Sequence, residues 1–294
     1  MRILVLGGAS YDEIIHVNEF FQPVAATIFP KAQYSALGST GIGKAIAFKK
    51  LGYDVSFQAV IGKDIYGGII ETELKSHGID FHPSYVSQTE KHTNFMNSHG
   101  DRISVFKTVE PDNDFDPTEF ESLIASSDIV CLNIIDYCRS FIPVIKKHNK
   151  PIYCDLHDYD GSNPHHLDFL NVANGIQLSS NQMPDYESFM KAMIQAGKDF
   201  IVVTHGSKGA SAIDKSKMKI DIPAEKVDFI DTNGAGDNFF AGFLHGYLTN
   251  QGLKNSLLMG EIAATDCILS RNIVGDNLSI DYLEKKLSKL KKNS

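Results

Sequence analysis

Short apolar runs alternate with amphipathic helical segments along most of the chain. The runs RILVLG (2–7), VSFQAVIG (55–62) and IVCLNII (129–135) have the composition of buried strands. The segments KAIAFKKLG (44–52) and YGGIIETELKSHG (66–78) carry apolar residues at helical spacing and end at a glycine. Parallel strands joined by helices are covered on both faces, because the crossover helices pack on each side. The alternation therefore predicts an α/β fold with three layers and a mostly parallel central sheet.

Two segments, residues 12–36 and 81–108, break this rhythm. Both alternate apolar and polar residues, and the second contains the turn former HGD (99–101). A period of two predicts antiparallel hairpins. Because both segments are insertions between α/β units, we expect them to meet as a small β-sheet lid over one edge of the core. The chain shows no interdomain linker, so residues 1–294 are predicted to form one domain that includes this lid.

The composition narrows the classes of function. The formal net charge is −8, which argues against a basic face that binds nucleic acid or an anionic membrane. The four cysteines form no C-x-x-C pair, which is typical of reduced thiols in the cytoplasm. The apolar run at the N-terminus is too short for a signal peptide, and no run is long enough to span a bilayer. We therefore expect a cytoplasmic protein with no nucleic-acid or membrane partner.

The motif with the most chemical content is IDTNGAGDNFFAGF, residues 230–243. The strand-like segment VDFID (227–231) leads into Gly234-Ala235-Gly236-Asp237, and a helix is predicted from about residue 235 to 249. Glycines allow a ligand to approach the backbone, and the first amides of a helix lack intrahelical acceptors. This turn therefore predicts an anion hole for a phosphoryl group. Asp237 either accepts the proton of an attacking hydroxyl or is only a carboxylate stabilised by the helix dipole.

These segments resemble a known family. DTNGAGDNFFAGF closely resembles the second signature of the ribokinase-like (PfkB) carbohydrate kinases, D-T-x-G-A-G-D-x-F-x-x-G. GGASYDEI looks like the family's opening strand and loop, AVIGKDIYGGIIETELKSHGID its G-x-V-G-x-D-x-x-G segment, HGDRISVF its lid strand, and IVVTHGSKGA its T-x-G-x-x-G nucleotide loop. The order is that of the family, across nearly the whole chain. The resemblance implies a ribokinase-like core with a β lid, and transfer of the γ-phosphoryl group of ATP, with Mg²⁺, to an alcohol of a sugar-like substrate.

The resemblance also implies roles for individual residues. Asp237 would be the general base, and the phosphoryl group would be stabilised by the turn formed by Gly234, Ala235, Gly236 and Asp237. The acceptor site would be shaped by Asp12, Gly38, Ser39 and Gly43. The nucleotide would be held by Asn181, Thr204, Gly206, Ser207 and Gly209. In some relatives, the backbone at the positions of Asp231 and Thr232 also helps to bind a monovalent cation such as K⁺.

The stretch GSTGIGKA (38–45) nearly matches a P-loop, but two features argue against one. Ala45 stands where the magnesium-binding hydroxyl should be, and the preceding QYSAL (33–37) is short and polar rather than a buried strand. In the resemblance, this stretch is the glycine-rich turn and helix of the acceptor site. It departs from the family at Gly43, where Asn is usual. The ammonium of the following residue, Lys44, either reaches an anionic acceptor or is solvated.

A second departure concerns the metal. Where the family often has N-x-x-E, the chain keeps Asn181 but has Pro184 at the acidic position. Asp185 or Glu187 would substitute, or Mg²⁺ would be held through water and the nucleotide phosphates. No metal ligand is assigned on this basis. The loop HDYDGSNPHH (157–166) contains several His and Asp residues, but no i, i+4 pair on a predicted helix supports a zinc site there.

Two alternatives to a sugar kinase stay open. The first is a nucleoside kinase of the same fold, in which aromatic lid residues either stack on a base or pack together: Phe20, Phe21, Phe29 and Phe95. The second is a non-catalytic sugar- or nucleotide-binding protein, which the departures at Gly43 and Pro184 would allow. Because exposed sheet edges tend to be covered, the lid also predicts a homodimer that forms through it.

Overall fold

The computed structural model describes residues 1–108 and 116–292. Its strands are β1 (Arg2–Leu6), β2 (Ser10–His16), β3 (Ala32–Gly38), β4 (Asp54–Gly62), β5 (Asp80–Val86), β6 (His92–Met96), β7 (Arg102–Phe106), β8 (Ile129–Leu132), β9 (Ile152–Asp155), β10 (Gly175–Ser179), β11 (Phe200–Thr204), β12 (Ala210–Asp214) and β13 (Ile220–Ile222). Its α-helices are α1 (Thr40–Lys50), α2 (Ile65–Ser76), α3 (Glu121–Ser126), α4 (Ile142–Lys147), α5 (Leu167–Val172), α6 (Tyr186–Gln195), α7 (Ala235–Leu248), α8 (Leu253–Ile268) and α9 (Ile280–Lys292). In this part of the chain, no helix combines the length and the apolar character that a bilayer crossing requires.

Nine strands form the main sheet, in the order β13-β12-β11-β10-β9-β8-β1-β4-β5. The seven strands from β11 to β5 run parallel, and β12 and β13 extend one edge in the antiparallel sense. The residues from Ile3 to Leu6 at the centre have no exposed surface. This is expected of a strand that is covered on both faces. The predicted α/β fold with a mostly parallel sheet is confirmed.

The sheet separates two hydrophobic cores. Successive side chains of a strand point to opposite faces, so β1 contributes to both cores. Ile3 and Val5 belong to the core that contains residues of α1, α2, α7, α8 and α9. Leu4 and Leu6 belong to the core that contains residues of α3, α4, α5 and α6. The sheet is thus the middle of three layers, and the carboxyl ends of its parallel strands form an edge at which a site can be built.

A small four-stranded sheet has the order β3-β2-β6-β7. β2 pairs with β3 antiparallel and with β6 parallel, and β6 pairs with β7 antiparallel. The prediction that the whole segment 81–108 joins this sheet is wrong. Residues 81–86 lie in β5, which pairs in parallel with β4 at the edge of the main sheet. An edge strand is only half buried, so its polarity alternates as it would in a hairpin.

The predicted strand VDFID (227–231) is also wrong. Residues 223–232 have no regular secondary structure, and Phe229 and Ile230 are 38% and 48% exposed. The Ile230 N–H donates to the carbonyl of Ile268 in α8 at 2.7 Å rather than to a strand. The glycine-rich turn before α7 is therefore reached from an irregular segment that lies against α8.

Candidate active site

The turn before α7 is tightly packed. Gly234 caps the helix with a φ of 79°, and a Cβ at this residue would lie 2.2 Å from the backbone oxygen of Ile273. Only glycine fits here without a movement of the backbone. The Ala235 N–H closes a turn onto the preceding loop at 3.3 Å. The next amides, those of Gly236 and Asp237, lie in the first turn, where the N–H groups of a helix have no intrahelical acceptor and the helix dipole is positive.

The Asp237 side chain lies in the first turn of α7 and is buried. Lys44 Nζ donates a hydrogen bond to Asp237 Oδ1. Burial raises the pKa of Asp237 above its usual value, and the positive charge of Lys44 offsets only part of that rise. A buried carboxylate with a raised pKa is chemically suited to accept the proton of an alcohol.

Lys44 is buried, with only 1% of its surface exposed. In addition to its bond to Asp237, its ammonium lies 3.4 Å from Asp155 Oδ2. Burial alone would lower the pKa of Lys44, but the charges of Asp237 and Asp155 outweigh this effect and raise it. The interpretation of Lys44 as a solvated side chain is therefore wrong. Its contact with an anionic acceptor stays a prediction.

Sequence reasoning missed Asp155, the last residue of β9. Its carboxylate accepts hydrogen bonds from the His157 N–H at 3.0 Å and from Gln177 Nε2 at 3.2 Å. The same Gln177 amide donates to the Gly236 carbonyl at 3.0 Å. A signal was available, because ligands of α/β sheets bind at the carboxyl ends of the strands, and a carboxylate directly follows the apolar run of β9.

The four predicted acceptor residues fall in two places. A Cβ on Gly38 would lie 2.2 Å from Asp12 Oδ2, so these two residues are in contact. Ser39 follows in a left-handed conformation, with a φ of 69°, immediately before α1. Gly43 lies instead against the candidate base, because a Cβ there would be 2.8 Å from Asp237 Oδ2. The family's usual Asn at this position would require Asp237 to move.

The buried Asp12 carboxylate is held by the small sheet. It accepts hydrogen bonds from the His92 N–H at 3.0 Å, from His92 Nδ1 at 3.1 Å and from Asn94 Nδ2 at 3.1 Å. His92 Nε2 lies 2.6 Å from Glu90 Oε1. Burial alone would lower the pKa of His92, but Asp12 and Glu90 outweigh it and raise the pKa to about 9. The sequence motifs gave no sign of this imidazolium.

The stability of the protein should fall as the pH rises from about 6.5 to about 9. Because the pKa of His92 is raised by folding, its contribution is complete below the unfolded pKa and is lost as the pH passes through the folded one. The shift corresponds to roughly 3 kcal/mol. Urea unfolding near pH 6 and near pH 9 measures the change, and His92→Gln should remove this part of it. The same pH dependence in His92→Gln would contradict the assignment.

The predicted nucleotide residues gather at the ends of two adjacent strands. β10 pairs with β11, Thr204 is the last residue of β11, and Asn181 lies in the turn after β10. A backbone hydrogen bond of 3.0 Å joins that turn to the Thr204 carbonyl. Gly206 and Ser207 follow in a short 3₁₀ turn, with open space at the Gly206 Cβ position. Gly209 has a structural role, because a Cβ there would lie 2.0 Å from a carbonyl of β13.

The loop that leads to α7 contacts the small sheet. Three side-chain hydrogen bonds join them: Tyr34 to the Asp231 carboxylate, Thr232 Oγ1 to the Gly100 carbonyl at 2.8 Å, and Arg102 Nη1 to Asn233 Oδ1 at 3.0 Å. Tyr34 belongs to β3, Arg102 to β7, and Gly100 to the turn between β6 and β7. The small sheet therefore lies directly against the loop that carries the candidate anion hole.

In the part of the chain that the structure describes, no group of three or more His, Cys, Asp or Glu side chains is placed to hold a metal ion. In the loop 157–166, the Asp160 carboxylate accepts backbone N–H groups of the same loop at 2.8 Å. Glu187, one of the two candidates to replace the acid at Pro184, pairs with Lys219 at 2.5 Å. The described side chains do not form a site for Mg²⁺ by themselves.

Comparison with known proteins agrees with this fold. The sequence profile of the pfkB family carbohydrate kinases matches residues 2–153 and 163–276. The chain belongs to this family. It is a phosphotransferase that uses an alcohol group as the acceptor. The matched regions contain Asp12, the glycine-rich start of α1 and the turn before α7.

The proteins similar to this chain are named for phosphorylating different acceptors. An acarbose 7(IV)-phosphotransferase from Actinoplanes sp. is 26% identical over 276 residues, which span 89% of this chain and 90% of that protein. A nucleoside kinase from Methanocaldococcus jannaschii is 23% identical, over 98% of this chain and 97% of that protein. The structure of the microbiome-derived acarbose kinase Mak1 superposes with a TM-score of 0.85, at 25% identity over 98% of both chains. Family membership therefore establishes the class of reaction but does not identify the acceptor.

Proposed function

We propose that this pfkB family kinase transfers the γ-phosphoryl group of ATP to a hydroxyl of a sugar or sugar derivative, with Asp237 as the general base. The observation that carries the proposal is the buried Asp237 carboxylate in the first turn of α7, beside the left-handed cap at Gly234. This carboxylate is in contact with Gly43 of α1, and the neighbouring Gly236 carbonyl is bonded to β10. These contacts support the proposal, because they connect Asp237 and its helix start to both the predicted acceptor turn and the strand that precedes the predicted nucleotide turn.

The proposed reaction uses three parts of the site. Asp237 takes the proton of the acceptor hydroxyl as its oxygen attacks the γ-phosphorus, and the bond from that phosphorus to ADP breaks. The amides of Gly236 and Asp237, at the positive end of α7, stabilise the charge on the phosphoryl oxygens. The small sheet acts as the lid that excludes water, which would compete as an acceptor.

The family implies ATP as the donor, with Mg²⁺ as its usual partner. Magnesium keeps water and substrate phosphates among its ligands, so it would enter with the nucleotide. We propose that Asn181, Thr204, Gly206 and Ser207 hold that nucleotide at the ends of β10 and β11. Use of ATP also fits the predicted cytoplasmic location. Activation by K⁺ near Asp231 stays a prediction.

The polar character of the acceptor side favours a polyhydroxylated acceptor over a nucleoside. Asp12, His92 and Asn94 form a buried group of hydrogen-bonding side chains next to Gly38. Phe21 and Phe95, two of the residues considered for stacking on a base, pack edge to face on each other at 5.1 Å. In such a pair, the edge of one ring covers one face of the other, so that face is not available to a base.

A coupled assay of ATP consumption tests the proposal. The panel contains pentoses, hexoses, fructoselysine, acarbose, sugar acids, sugar phosphates and nucleosides, with magnesium and potassium present. We expect turnover with one class of sugar-like compound and none with nucleosides. Turnover with nucleosides alone would replace the sugar acceptor by a nucleoside. Ligands that raise the melting temperature without any turnover would identify a non-catalytic binding protein.

We also propose that two copies associate through the small sheet. β7 is one of its two outer strands and is exposed throughout, with Ile103 and Val105 at 42% and 47% exposure. An exposed outer strand with apolar side chains readily accepts another chain. Light scattering should give the mass of a dimer for the wild type and of a monomer for Val105→Lys. The control Met218→Lys, at an exposed position between β12 and β13, should leave the dimer intact. A monomeric wild type would refute the proposed dimer.

A further inference from the structure

Lys44 is an unusual feature of this site, because its ammonium is inside the protein. It bonds to Asp237, lies 3.4 Å from Asp155, and stands 5.3 Å from the centre of the Phe240 ring. We call Lys44, Asp155 and Asp237 the Lys44 cluster; at most 7% of the surface of any member is exposed. A buried charge is costly unless it is paired and hydrogen-bonded. A lysine placed here therefore requires a carboxylate partner, and the two carboxylates require a cation.

The charges of the cluster explain what the lysine does. One ammonium faces two carboxylates, so the cluster carries one net negative charge. Without the ammonium, Asp155 and Asp237 would be two like charges in one buried space, and such pairs hold a proton between them. A shared proton would deprive Asp237 of its capacity as a base. The ammonium lets both carboxylates stay ionised before the reaction.

Asp155 is anchored independently of Asp237. Its carboxylate accepts bonds from the His157 N–H and from Gln177 Nε2, and the same Gln177 amide holds the Gly236 carbonyl at the start of α7. Asp155 therefore remains in place as a counter-ion when Asp237 becomes neutral. The network also connects the ends of β9 and β10 to the helix start at which the phosphoryl group is proposed to bind.

Gly43 is the structural complement of this arrangement. A Cβ at Gly43 would lie 2.8 Å from Asp237 Oδ2 and 3.1 Å from Asp237 Cβ. The absence of a side chain lets the carboxylate approach α1, where the ammonium of the next residue meets it. Gly43 thus stands where the family usually has Asn, and Lys44 follows it. These two residues act on the base Asp237 and not on the acceptor hydroxyls.

We propose that Lys44 is a positioning residue that keeps Asp237 ionised and oriented, with Asp155 as its permanent counter-ion. This inference rests on the proposed function. In the reaction, the acceptor O–H proton moves to Asp237, the acceptor oxygen forms the bond to the γ-phosphorus, and the bond to ADP breaks with its electron pair. Lys44 keeps its proton throughout, because Asp155 still balances it.

Groups from four elements face the cluster. Lys44 comes from α1, Asp155 and His157 come from β9 and the turn after it, and Cys267 faces Asp237 from α8. Cys131 of β8 faces Lys44. Burial raises the pKa of both thiols, to about 12 for Cys131, so they are neutral across the working range. The two thiols therefore add no charge to the cluster.

The test compares Lys44→Met and Asp155→Asn with the double variant Lys44→Met/Asp155→Asn. The single variant Lys44→Met leaves two carboxylates without a cation, whereas the double variant restores one net negative charge. We expect Lys44→Met to lower kcat near pH 7 by roughly 10²-fold and to move the acidic limb of the kcat profile by at least about one pH unit to higher pH, with KM for ATP nearly unchanged. The double variant should return the limb toward the wild-type position.

Lys198→Met is the matched control. Lys198 is a half-buried lysine that bonds to backbone carbonyls at residues 170, 171 and 173. Its loss should lower stability without moving the acidic limb. A wild-type limb in Lys44→Met, or a double variant that loses as much as the two single changes together, would overturn the proposal.

A titration that needs no turnover separates this proposal from the kinase assignment. The ¹³C carboxyl resonance of Asp237, identified by its absence in Asp237→Asn, reports its ionisation directly. It should titrate at higher pH in Lys44→Met than in the wild type. If the wild type phosphorylates no acceptor but the titration shifts, the proposed function fails and the ionic role of Lys44 stands. If turnover is present and the titration does not shift, the role of Lys44 is wrong.

Discussion

Asp237→Asn should lower kcat by roughly 10²- to 10⁴-fold, with the binding of ATP and acceptor retained. Asn keeps the size of the side chain and an oxygen that can accept the Lys44 hydrogen bond, but it cannot take the proton of the acceptor. The substitution also removes a buried carboxylate whose pKa is raised by burial, so the fold should not lose stability. Steady-state kinetics and calorimetric titration with ATP measure the two effects separately.

The control for this prediction is Asp168→Asn. Asp168 is an exposed carboxylate on α5 that pairs with Arg139, away from the cluster. It should leave kcat unchanged. A variant Asp237→Asn with more than about a tenth of wild-type kcat would show that Asp237 is not the base. Loss of ATP binding together with turnover would instead make its role structural.

Gly234→Ala and Gly236→Ala should separate the stability of the turn before α7 from its chemistry. A methyl group on Gly234 would lie 2.2 Å from a backbone oxygen at a φ of 79°, so we expect a loss of about 3 kcal/mol and of activity. At Gly236 a Cβ meets nothing within 4 Å, so the fold should keep its stability. That methyl group would occupy the space proposed for the phosphoryl group, and kcat should fall by roughly 10²-fold.

Thermal unfolding measures the stability of these two variants, and initial rates with the identified acceptor measure their activity. Full activity in Gly236→Ala would show that the phosphoryl group does not use the space beside that residue. An equal loss of stability in both variants would mean that the turn serves only as a helix cap.

The sequence was a good guide where structure is local. The strands β1, β4 and β8 were predictable from their apolar runs, because strands covered on both faces need nearly continuous apolar residues. The start of α7 was predicted correctly because two local signals lie close together in the sequence. They are Gly234, which has a positive φ in the structure, and Asp237, the acidic residue of the first turn. VDFID misled because its apolar residues lie in an irregular segment against α8, a contact that no local pattern encodes.

The side chains that set the charges of the site were not predictable in this way. The packing of α1, β9 and α7 brings Lys44, Asp155 and Asp237 together. Along the chain, Asp155 is 111 residues from Lys44, and Asp237 is 193 residues from it. His92 meets Asp12 across 80 residues. A lysine near the start of a helix is normally solvated, and only the packing of the three layers shows that this one is not. Motifs therefore locate the backbone of the site, while tertiary packing determines its ionisation.

The three hydrogen bonds between the small sheet and the loop before α7 have a mechanical consequence. Any outward swing of that sheet must break all three at once, and each contributes about 1 kcal/mol. If the small sheet is the proposed lid, its opening therefore weakens the loop that carries the proposed anion hole. A compound that holds the sheet open should then weaken the binding of the phosphoryl donor, and the donor should weaken the binding of that compound by the same factor.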